Sequence, residues 1–505
     1  MRRLDPLILL PAAKLLLHLA TFRGYGLFRD EFYYIACSKR LAFGYVDHPP
    51  LAMVLMAVQR ALFGESLLAL RLLPMLAGVL TVLVVGLLTR ELGGGRFAQT
   101  LAMTAVGIEF LGVFHVFSMN CFDVLVWATA GYLLVLIVKG FTPWLWLLLG
   151  GLLGLGLQNK ISVLWLGAGL TVGLVVSGER RWLRTLWPWL GGALAALIFA
   201  PHLLWQVRWD WPTLEFIRNA TGHKMVEVVP LEFLWGQLTL FAGPVTLLWV
   251  GGLVYLLFSR QAQTFSILGW VYLVVFAILL LSGSSRAGYL GPAYSWLLAA
   301  GAVGWEGWIT RVAGQGIRWL KPVTLVAVLG FGLVFLPFSL PVLPVEAYIH
   351  YADRLGVGPT TEERKELAEL PQDYADRHGW RELVETVAEV YEALPPEEQE
   401  LATIFTYNYG NSGAIDHLGR EFGLPASISG HNNYWLWGPG KATGRVVIVV
   451  GEDDEGLRRM FEKVERAATI DCRYCMPYED NKPVWIARGI RQPLSEIWPA
   501  LKHYD

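Results

Sequence analysis

Residues 67–89 read LLALRLLPMLAGVLTVLVVGLLT, an apolar run long enough to cross a lipid bilayer as one helix. A transmembrane helix needs about 20 mostly apolar residues to cross roughly 30 Å of hydrocarbon. Similar runs recur as far as residue 341 and predict a polytopic α-helical membrane protein with about 11 spans, because helices satisfy their own backbone hydrogen bonds in lipid. The predicted spans are residues 6–23, 67–89, 97–116, 122–139, 143–159, 161–178, 186–206, 234–258, 265–282, 288–309 and 322–341.

The composition divides the chain into two parts. Of its 505 residues, 54% are hydrophobic and 16% are charged, which excludes a purely soluble enzyme. Residues 1–341 hold 24 Lys and Arg against 14 Asp and Glu, whereas residues 342–505 hold 17 against 28. We therefore predict a transmembrane domain at residues 1–341 and a soluble domain at residues 342–505. The net charge of −1 gives no indication of a nucleic-acid partner.

Basic residues fall in every second loop between the predicted spans. They are Arg2, Arg3, Arg90, Arg96, Lys139, Arg180, Arg181, Arg184, Arg260, Arg311, Arg318 and Lys321. Because cytoplasmic loops are enriched in Lys and Arg, the pattern predicts a cytoplasmic N-terminus in the cytoplasmic (inner) membrane. An odd number of spans then puts the C-terminal domain outside the cytoplasm. We expect the first run to be a retained span rather than a cleaved signal.

Two of the predicted outside loops carry acidic residues beside apolar surface. The first contains Asp30 and Glu31 in the stretch RDEFYY, and the second contains Asp123. Ionisable groups near a membrane are costly to keep and often mark a functional site. A carboxylate can take the proton of an attacking hydroxyl, and Asp30 is the best candidate for this general base. The alternative is that Asp30 and Glu31 only cap a helix at the membrane interface.

Cations also occur in the predicted outside loops. Lys160 follows the fifth span, Arg286 and Tyr289 share a later loop, and His48 lies in the first loop. A lipid phosphate would supply the matching anion, and positive groups would neutralise such a phosphate as it departs. This mechanism needs no nucleotide and no assigned metal, although a divalent metal remains an open alternative. Lys160 and Arg286 could instead only extend towards the headgroups.

Several short motifs resemble those of GT-C membrane glycosyltransferases, specifically glycosyltransferase family 39, which includes protein O-mannosyltransferases and aminoarabinose lipid A transferases. They are DEFYY at residues 30–34, HPPL at 48–51, RLLP at 71–74, SMNCFD at 118–123, LQNK at 157–160 and RAGYLGP at 286–292. The resemblance implies transfer of a sugar from a polyprenyl-phosphate donor, usually with inversion, on the extracytoplasmic side. It also implies that Asp30 is the base, accompanied by Glu31 and supported by Asp123. The family lysine stands in a Thr-Lys-Gly setting, whereas Lys160 stands between Asn and Ile.

The C-terminal part resembles the extracytoplasmic domain of a bacterial branch of that group through residues 407–414, 429–439 and 472–479. Its hydrophobic patterns predict a small α/β domain, with strands at residues 402–406, 446–450 and 484–488 and helices at 362–368, 380–393 and 455–463. The cluster of His431, Asn432, Tyr434 and Trp435 could stack on and hydrogen-bond a sugar or an acceptor, or could be ordinary packing.

Cys472 and Cys475 are separated by two residues in this C-terminal domain. In an oxidising compartment such a pair can close as a disulfide, and the sequence alone leaves metal binding or unpaired thiols as alternatives.

The function predicted from these features is that of a membrane glycosyltransferase. Its partners would be the lipid bilayer, a polyprenyl-phosphate-linked sugar and an envelope glycan, lipid or protein that supplies the acceptor hydroxyl. A transporter or flippase for lipid-linked sugars is the main alternative, and it would favour inverted repeats and interrupted helices. A membrane anchor for the C-terminal domain is a third, although one span would suffice for anchoring.

Overall fold

The computed structural model describes residues 5–283, 285–312, 317–451 and 454–505 of the chain. Of the residues used above, Arg2 and Arg3 lie outside these ranges. Helices up to residue 340 are α1 (Pro6–Thr21), α2 (Arg29–Ser38), α3 (Leu51–Phe63), α4 (Leu67–Glu91), α5 (Arg96–Glu109), α6 (Met119–Val138), α7 (Leu145–Asn159), α8 (Val163–Val176), α9 (Trp187–Arg208), α10 (Pro212–Asn219), α11 (Pro230–Leu240), α12 (Pro244–Phe258), α13 (Ser266–Leu281), α14 (Tyr294–Val312) and α15 (Leu320–Ser339).

Every predicted span coincides with one of these helices or with two consecutive helical segments, so the chain is a multi-pass helical membrane protein. By length and apolar composition, five of the described helices can cross a membrane, or up to seven if each of two bent pairs forms one span. The predicted number of about 11 is therefore not confirmed. Some apolar helices, such as α1 with 16 residues and α7 with 15, are shorter than a full crossing requires.

One of the predicted spans is bent, and a second is followed directly by a bend. The run at residues 234–258 folds as α11 and α12, whose axes differ by 113°. Gly243 adopts a positive φ of 68° between them, and Pro244 starts α12 at a position where a missing backbone N–H is tolerated. The run at residues 161–178 is followed by a 3₁₀ helix, Gly178–Arg184, which lies at 105° to α8.

The C-terminal part contains both helices and strands. Its helices are α16 (Val345–Leu355), α17 (Gln372–Ala375), α18 (Trp380–Glu392), α19 (Pro396–Gln399), α20 (Tyr409–Leu418), α21 (Asn432–Trp437), α22 (Asp454–Met460) and α23 (Leu494–Ile497). Its strands are β1 (Ala402–Thr406), β2 (Ser427–Ser429), β3 (Val446–Val450), β4 (Phe461–Ile470) and β5 (Lys482–Ile490). The three predicted strands are confirmed.

The strands form one sheet in the order β2-β1-β3-β5-β4. Strand β1 pairs in parallel with β2 and β3, whereas β5 pairs antiparallel with β3 and β4. Strand β3 is buried along its whole length, as expected for a central strand covered on both faces. A core that includes Ile404, Ile448, Val384 and Ala414 packs one face of the sheet against α18 and α20.

One helix prediction for the C-terminal part is wrong, and another has the wrong end. Residues 362–368 contain no helix, because Glu363 is drawn into an isolated β-bridge with Met225 and into ion pairs described below. The helix predicted at residues 455–463 ends at Met460, and Phe461 begins β4. The charged pattern of both segments is typical of an amphipathic helix, but long-range pairing determines the structure there.

The described residues group into two compact units. The first runs up to Gly24 and includes Gly64–Trp205 and Glu227–Val342. The second joins Leu343–Asp505 with Tyr25–Phe63 and Gln206–Val226, so the first predicted outside loop belongs to the same unit as the C-terminal sheet. The predicted domain division between residues 341 and 342 stays a prediction.

Candidate active site

Helix α2 separates the roles of the two adjacent carboxylates. Glu31 is fully buried, and its Oε2 accepts a hydrogen bond from the backbone N–H of Phe28 at 2.9 Å. Glu31 therefore caps the start of α2, which satisfies a backbone donor that the helix itself leaves unpaired. The Asp30 side chain keeps 29% of its surface exposed and accepts a hydrogen bond from Tyr409 Oη at 3.0 Å. Asp30 is thus the carboxylate that remains accessible.

The guanidinium of Arg29, next to Asp30, is surrounded by acidic groups of the same unit. Its Nη2 lies 3.2 Å from Glu363 Oε1, its Nη1 lies 3.4 Å from Asp376 Oδ2, and its Nε lies 3.5 Å from Asp30 Oδ1. Nη1 also donates to Tyr478 Oη at 2.9 Å. Because a buried charge needs compensation, this set of partners fixes the orientation of Arg29 and so the start of α2.

Burial and charge act on these carboxyl groups with different results. Burial raises the pKa of Asp376 to about 7, although the nearby Arg29 opposes this shift. Burial also raises the pKa of Glu363, but Arg29 and Lys224 together lower it by more, so its pKa lies below the usual value. Glu363 is therefore the ionised partner of Arg29, while Asp376 can take up a proton near neutral pH.

A cleft of about 420 Å³ lies beside Arg29 and Tyr409. It is lined by Arg29, His223, Lys224, Glu363, Arg364, Lys365, Tyr407, Asn408, Tyr409, His431, Gly451, Tyr478, Lys482, His503 and Asp505. Lys and Arg outnumber carboxylates among these residues, and three tyrosines offer ring faces. Such a surface suits a ligand that combines an anionic group with a sugar ring.

Lys224 is a largely buried lysine in the wall of this cleft. Its Nζ lies 4.0 Å from Glu363 Oε1, and its side chain is 14% exposed. Burial lowers the pKa of Lys224, and the charge of Arg29 acts in the same direction, whereas Glu363 and Asp30 oppose it. A lysine whose charge is incompletely compensated at the edge of a cleft is well suited to bind a phosphate.

Aromatic and amide groups connect α2 to the C-terminal domain. The rings of Tyr33 and Tyr409 stack with centroids 4.6 Å apart, and Tyr33 Oη donates to Asp47 Oδ1 at 2.9 Å. Asn433 Oδ1 lies 3.1 Å from Tyr33 Oη and accepts from the backbone N–H of Val46 at 2.7 Å. These bonds hold the first predicted outside loop against α21.

His48 is buried among aromatic side chains of the same loop. Its side chain is 1% exposed, its Nδ1 lies 3.0 Å from the carbonyl oxygen of Pro49, and its ring contacts those of Tyr34 and Tyr45. The predicted contact between His48 and a donor phosphate stays a prediction.

The four residues predicted to contact a sugar or acceptor have different surroundings from one another. His431 lies in the wall of the cleft, and burial lowers its pKa well below the usual value. Asn432 is fully buried with a positive φ of 45°. Tyr434 donates to Asp416 Oδ2 at 2.9 Å, and Trp435 donates to the Trp498 carbonyl at 2.9 Å. Tyr434 and Trp435 therefore bond to neighbouring groups of the fold and His431 lines the cleft, and the predicted sugar or acceptor contact of the four residues stays a prediction.

His431, His503 and Asp505 lie close enough together to be considered as metal ligands. His431 Nδ1 accepts from the backbone N–H of Tyr409 at 3.3 Å, and its Nε2 lies 2.8 Å from the Asp505 carbonyl. Both ring nitrogens of His503 lie near backbone carbonyls, at 3.1 Å from Leu501 and 2.9 Å from Tyr407. A neutral histidine has only one ring N–H to donate, so His503 can make only one of these two bonds, and whether the group holds a metal stays an open question.

A second polar cluster lies in the other compact unit. Lys160 Nζ lies 3.6 Å from Asp123 Oδ2 and donates to Asn120 Oδ1 at 2.8 Å. Ser162 Oγ donates to Asp123 Oδ2 at 3.0 Å, and Lys160 Nζ lies 5.5 Å from the centre of the Tyr289 ring. The structure therefore brings three predicted site residues together, Asp123, Lys160 and Tyr289. Arg286 directly precedes the 3₁₀ helix, Ala287–Ala293, that carries Tyr289.

Sequence reasoning missed four contributors to the site around Asp30. Glu363, Asp376 and Tyr409 contact Arg29 or Asp30 from distant parts of the chain, and Lys224 pairs with Glu363. Tyr409 stands in the motif YNYGNSGA at residues 407–414, whose resemblance to a known domain was a usable signal. The charged residues of the other segments gave no such signal.

Cys472 and Cys475 lie side by side, with their Cα atoms 5.8 Å apart, and their sulfurs are joined in the structure. This separation is within the range that disulfides bridge, and the disulfide remains our proposal for these residues.

Comparison with known proteins gives a family match over part of the chain and a fold. Residues 47–205 match the family described as dolichyl-phosphate-mannose-protein mannosyltransferase. The structure is similar to ArnT from Cupriavidus metallidurans bound to undecaprenyl phosphate, with a TM-score of 0.60, 15% identity and coverage of 95% of this chain and 97% of that chain. ArnT from the same organism in the apo state gives a TM-score of 0.58 at 15% identity, with the same coverage.

A further similarity, to the archaeal oligosaccharyltransferase AglB from Archaeoglobus fulgidus, has a TM-score of 0.49 at 12% identity and covers 88% of this chain and 69% of that chain. A comparison with curated protein sequences gives no match. The predicted resemblance to membrane glycosyltransferases is confirmed. The chain has the fold of ArnT, and over residues 47–205 it carries the sequence pattern of the dolichyl-phosphate-mannose-protein mannosyltransferases.

Proposed function

We propose that the protein transfers a sugar from a polyprenyl-phosphate-linked donor to an acceptor hydroxyl, with Asp30 as the general base. The observation that carries this proposal is the accessible Asp30 carboxylate, held by Tyr409 next to a cleft with basic and aromatic walls. The resemblance to a family of lipid-phosphate sugar transferases supports the same reaction, as does the undecaprenyl phosphate bound to ArnT.

The reaction follows from the chemistry of the two substrates. A hydroxyl is a weak nucleophile, so Asp30 takes its proton as the oxygen attacks the anomeric carbon of the donor sugar. The bond between that carbon and the phosphate oxygen breaks, and the phosphate leaves with the bonding electrons. A direct attack from the opposite face inverts the configuration at the anomeric carbon.

The donor phosphate gains negative charge as it leaves, and nearby cations stabilise that charge. We propose Lys160, Arg286, Tyr289 and His48 for this contact, of which Lys160 and Tyr289 adjoin one another. We propose Lys224 as an alternative to this set, because it lies within electrostatic range of Asp30 and lines the cleft. Asp123 would then orient Lys160 through their ion pair.

We also propose where the reaction takes place and which kind of acceptor it uses. The alternating basic loops favour a C-terminal domain outside the cytoplasmic membrane, where polyprenyl-linked donors meet envelope acceptors. An envelope glycan, a lipid or a protein hydroxyl would each satisfy the proposed chemistry.

A flippase for lipid-linked sugars remains the second candidate, because two helix pairs are sharply bent, α11 with α12 and α8 with the following 3₁₀ helix. Interrupted helices are typical of transporters. The accessible carboxylate is better explained by chemistry than by transport.

One experiment separates the two functions. The protein is reconstituted in vesicles with a panel of undecaprenyl-phosphate-linked [¹⁴C]hexoses and [¹⁴C]pentoses, and envelope membranes are added as acceptor. We expect label to move from the lipid into the acceptor fraction. Movement of intact labelled lipid between leaflets, without transfer to any acceptor, would support the flippase and contradict the transferase.

A further inference from the structure

We propose that Tyr409 of the C-terminal domain is a positioning residue for Asp30, so that this domain completes the catalytic site rather than only accompanying it. The inference rests on the proposed function, since it takes Asp30 as the general base. Tyr409 is the first residue of α20, far from Asp30 in the sequence, and it donates its hydroxyl hydrogen to Asp30 Oδ1 at 3.0 Å.

The ring of Tyr409 is held in one orientation by its neighbours. It stacks on Tyr33 with centroids 4.6 Å apart and an angle of 30°, and His431 lies on it at 4.6 Å. The side chain is buried, with 7% of the residue exposed. A hydroxyl with so little freedom can bond Asp30 without a large loss of side-chain entropy.

Two glycines explain how α20 comes close enough to α2. A Cβ added at Gly413 would lie 2.7 Å from the carbonyl carbon of Phe32, and one added at Gly410 would lie 2.6 Å from Arg29 Cγ. Both distances are far below a van der Waals contact between carbon atoms. Small residues are therefore required on the face of α20 that carries Tyr409 towards Asp30.

A helix cap and residues later in the sequence also fix the start of α20. Asn408 caps the helix, because its Oδ1 accepts from the backbone N–H of Asn411 at 2.9 Å. The Asn408 and Asn411 amides both donate to the carboxylate of Glu479 at 3.0 Å, and Glu479 pairs with Lys482. This network holds the first turn of α20, and with it the position of Tyr409.

The hydrogen bond has a direct consequence for catalysis. With Oδ1 engaged by Tyr409, the other oxygen of Asp30 is the one left to accept the proton of the acceptor. A general base must lie about 2.6–3.2 Å from the donor atom, so a carboxylate free to rotate would often miss that geometry. Burial, and then the charge of Asp30, raise the pKa of Tyr409 well above its usual value, so Tyr409 remains a donor throughout the working range.

The test is Tyr409→Phe, which keeps the stacked ring and removes only the hydroxyl. We expect kcat for transfer from the undecaprenyl-phosphate [¹⁴C]sugar of highest activity to fall by roughly tenfold or more, because hydrogen bonds to charged groups are strong. The KM for the donor should stay within about twofold, since the bond is made to the base and not to the donor. Tyr391→Phe, the same change on α18 outside the cleft, is the matched control and should leave kcat unchanged.

A double-mutant comparison separates this inference from the proposed function. In an Asp30→Asn background, adding Tyr409→Phe should change the residual rate by less than about twofold, because the hydroxyl acts through the carboxylate. A Tyr409→Phe enzyme with wild-type kcat, beside an inactive Asp30→Asn enzyme, would overturn the positioning role and leave the base intact. A fully active Asp30→Asn enzyme would instead overturn the base itself, and the positioning role with it.

Discussion

The guanidinium of Arg29 lies 3.4 Å from the carboxylate of Asp376, a residue of the segment between α17 and α18. Asp376 is 2% exposed and lies among other acidic groups, and Arg29 is the main group that favours its ionised form. The start of α2, which carries Asp30, is therefore joined to the C-terminal domain through a carboxyl group that titrates near neutrality.

This relationship predicts a pH dependence of stability. The pKa of Asp376 rises from an ordinary value of 3.8 to about 7 in the folded protein. A raised carboxyl pKa means that the folded state binds the proton more tightly, so the contribution to stability is largest at low pH and is lost as pH rises towards 7. The slope is at most about 1.4 kcal/mol per pH unit for one proton. Thermal unfolding of wild type and Asp376→Asn between pH 4 and 8 should show a steeper decline for wild type, and parallel curves would contradict the assignment.

The base assignment predicts that Asp30→Asn lowers transfer by roughly 10²–10⁴-fold, the usual contribution of general-base catalysis. The amide keeps the size of the side chain but cannot accept a proton from the acceptor. Binding of the labelled donor, measured separately by filtration, should remain close to wild type. Glu397→Gln, a change at an exposed carboxylate on α19, is the control for charge removal and should transfer normally.

Glu31→Gln tests the division of roles within α2. Because Glu31 caps the helix, this variant should lose about 1 kcal/mol of unfolding free energy. Its turnover per folded molecule should stay close to that of the wild type. A Glu31→Gln enzyme that is stable but inactive would assign the catalytic role to Glu31.

The donor-phosphate assignment predicts the behaviour of Lys160→Met. Undecaprenyl phosphate, the expected lipid product, should inhibit the transfer, and losing one cation that binds it should raise its inhibition constant by about tenfold or more. Lys224→Met provides a comparison in the cleft, and Lys441→Met is a control at an exposed lysine. An unchanged inhibition constant in Lys160→Met together with a raised one in Lys224→Met would move the phosphate site to the cleft.

The membrane part could be predicted from sequence because its signal is local. Each of the apolar runs folds as helix, since lipid leaves few alternatives for the backbone. The bend between α11 and α12 was missed, because a run of apolar residues hides the effect of Gly243 and Pro244. The number of crossings depends on such bends and could not be counted from hydropathy alone.

The site could be predicted only in part, because some of its residues stand in local motifs and others join it only through tertiary contacts. Asp30 and Asp123 stand in short motifs beside apolar helices, and the positions of both were identifiable. Glu363 and Asp376 are ordinary charged residues in their own segments. They belong to the site only because they pair with Arg29, more than 300 positions away. Burial and pairing of this kind are properties of tertiary structure, so a pattern within one segment cannot reveal them.

The disulfide proposal predicts that Cys472 and Cys475 resist alkylation in the native protein. Cys37 and Cys121 are buried and serve as an internal reference for slow modification. After reduction and unfolding, all four cysteines should react, and mass spectrometry should show two more reactive thiols than in the unreduced, unfolded sample. Equal numbers in both samples would show that the pair is not oxidised.

The topology predicts which side of the membrane the C-terminal domain occupies. Lys441 is exposed in the segment before β3, and Arg180 is exposed in the loop after α8 that the basic residues assign to the cytoplasm. Because all four native cysteines are buried, Lys441→Cys and Arg180→Cys each introduce one accessible thiol. A membrane-impermeant maleimide applied to spheroplasts should label Lys441→Cys at once and Arg180→Cys only after the membrane is permeabilised. Labelling in the reverse order would place the C-terminal domain in the cytoplasm, where the envelope acceptors of the proposed reaction are absent.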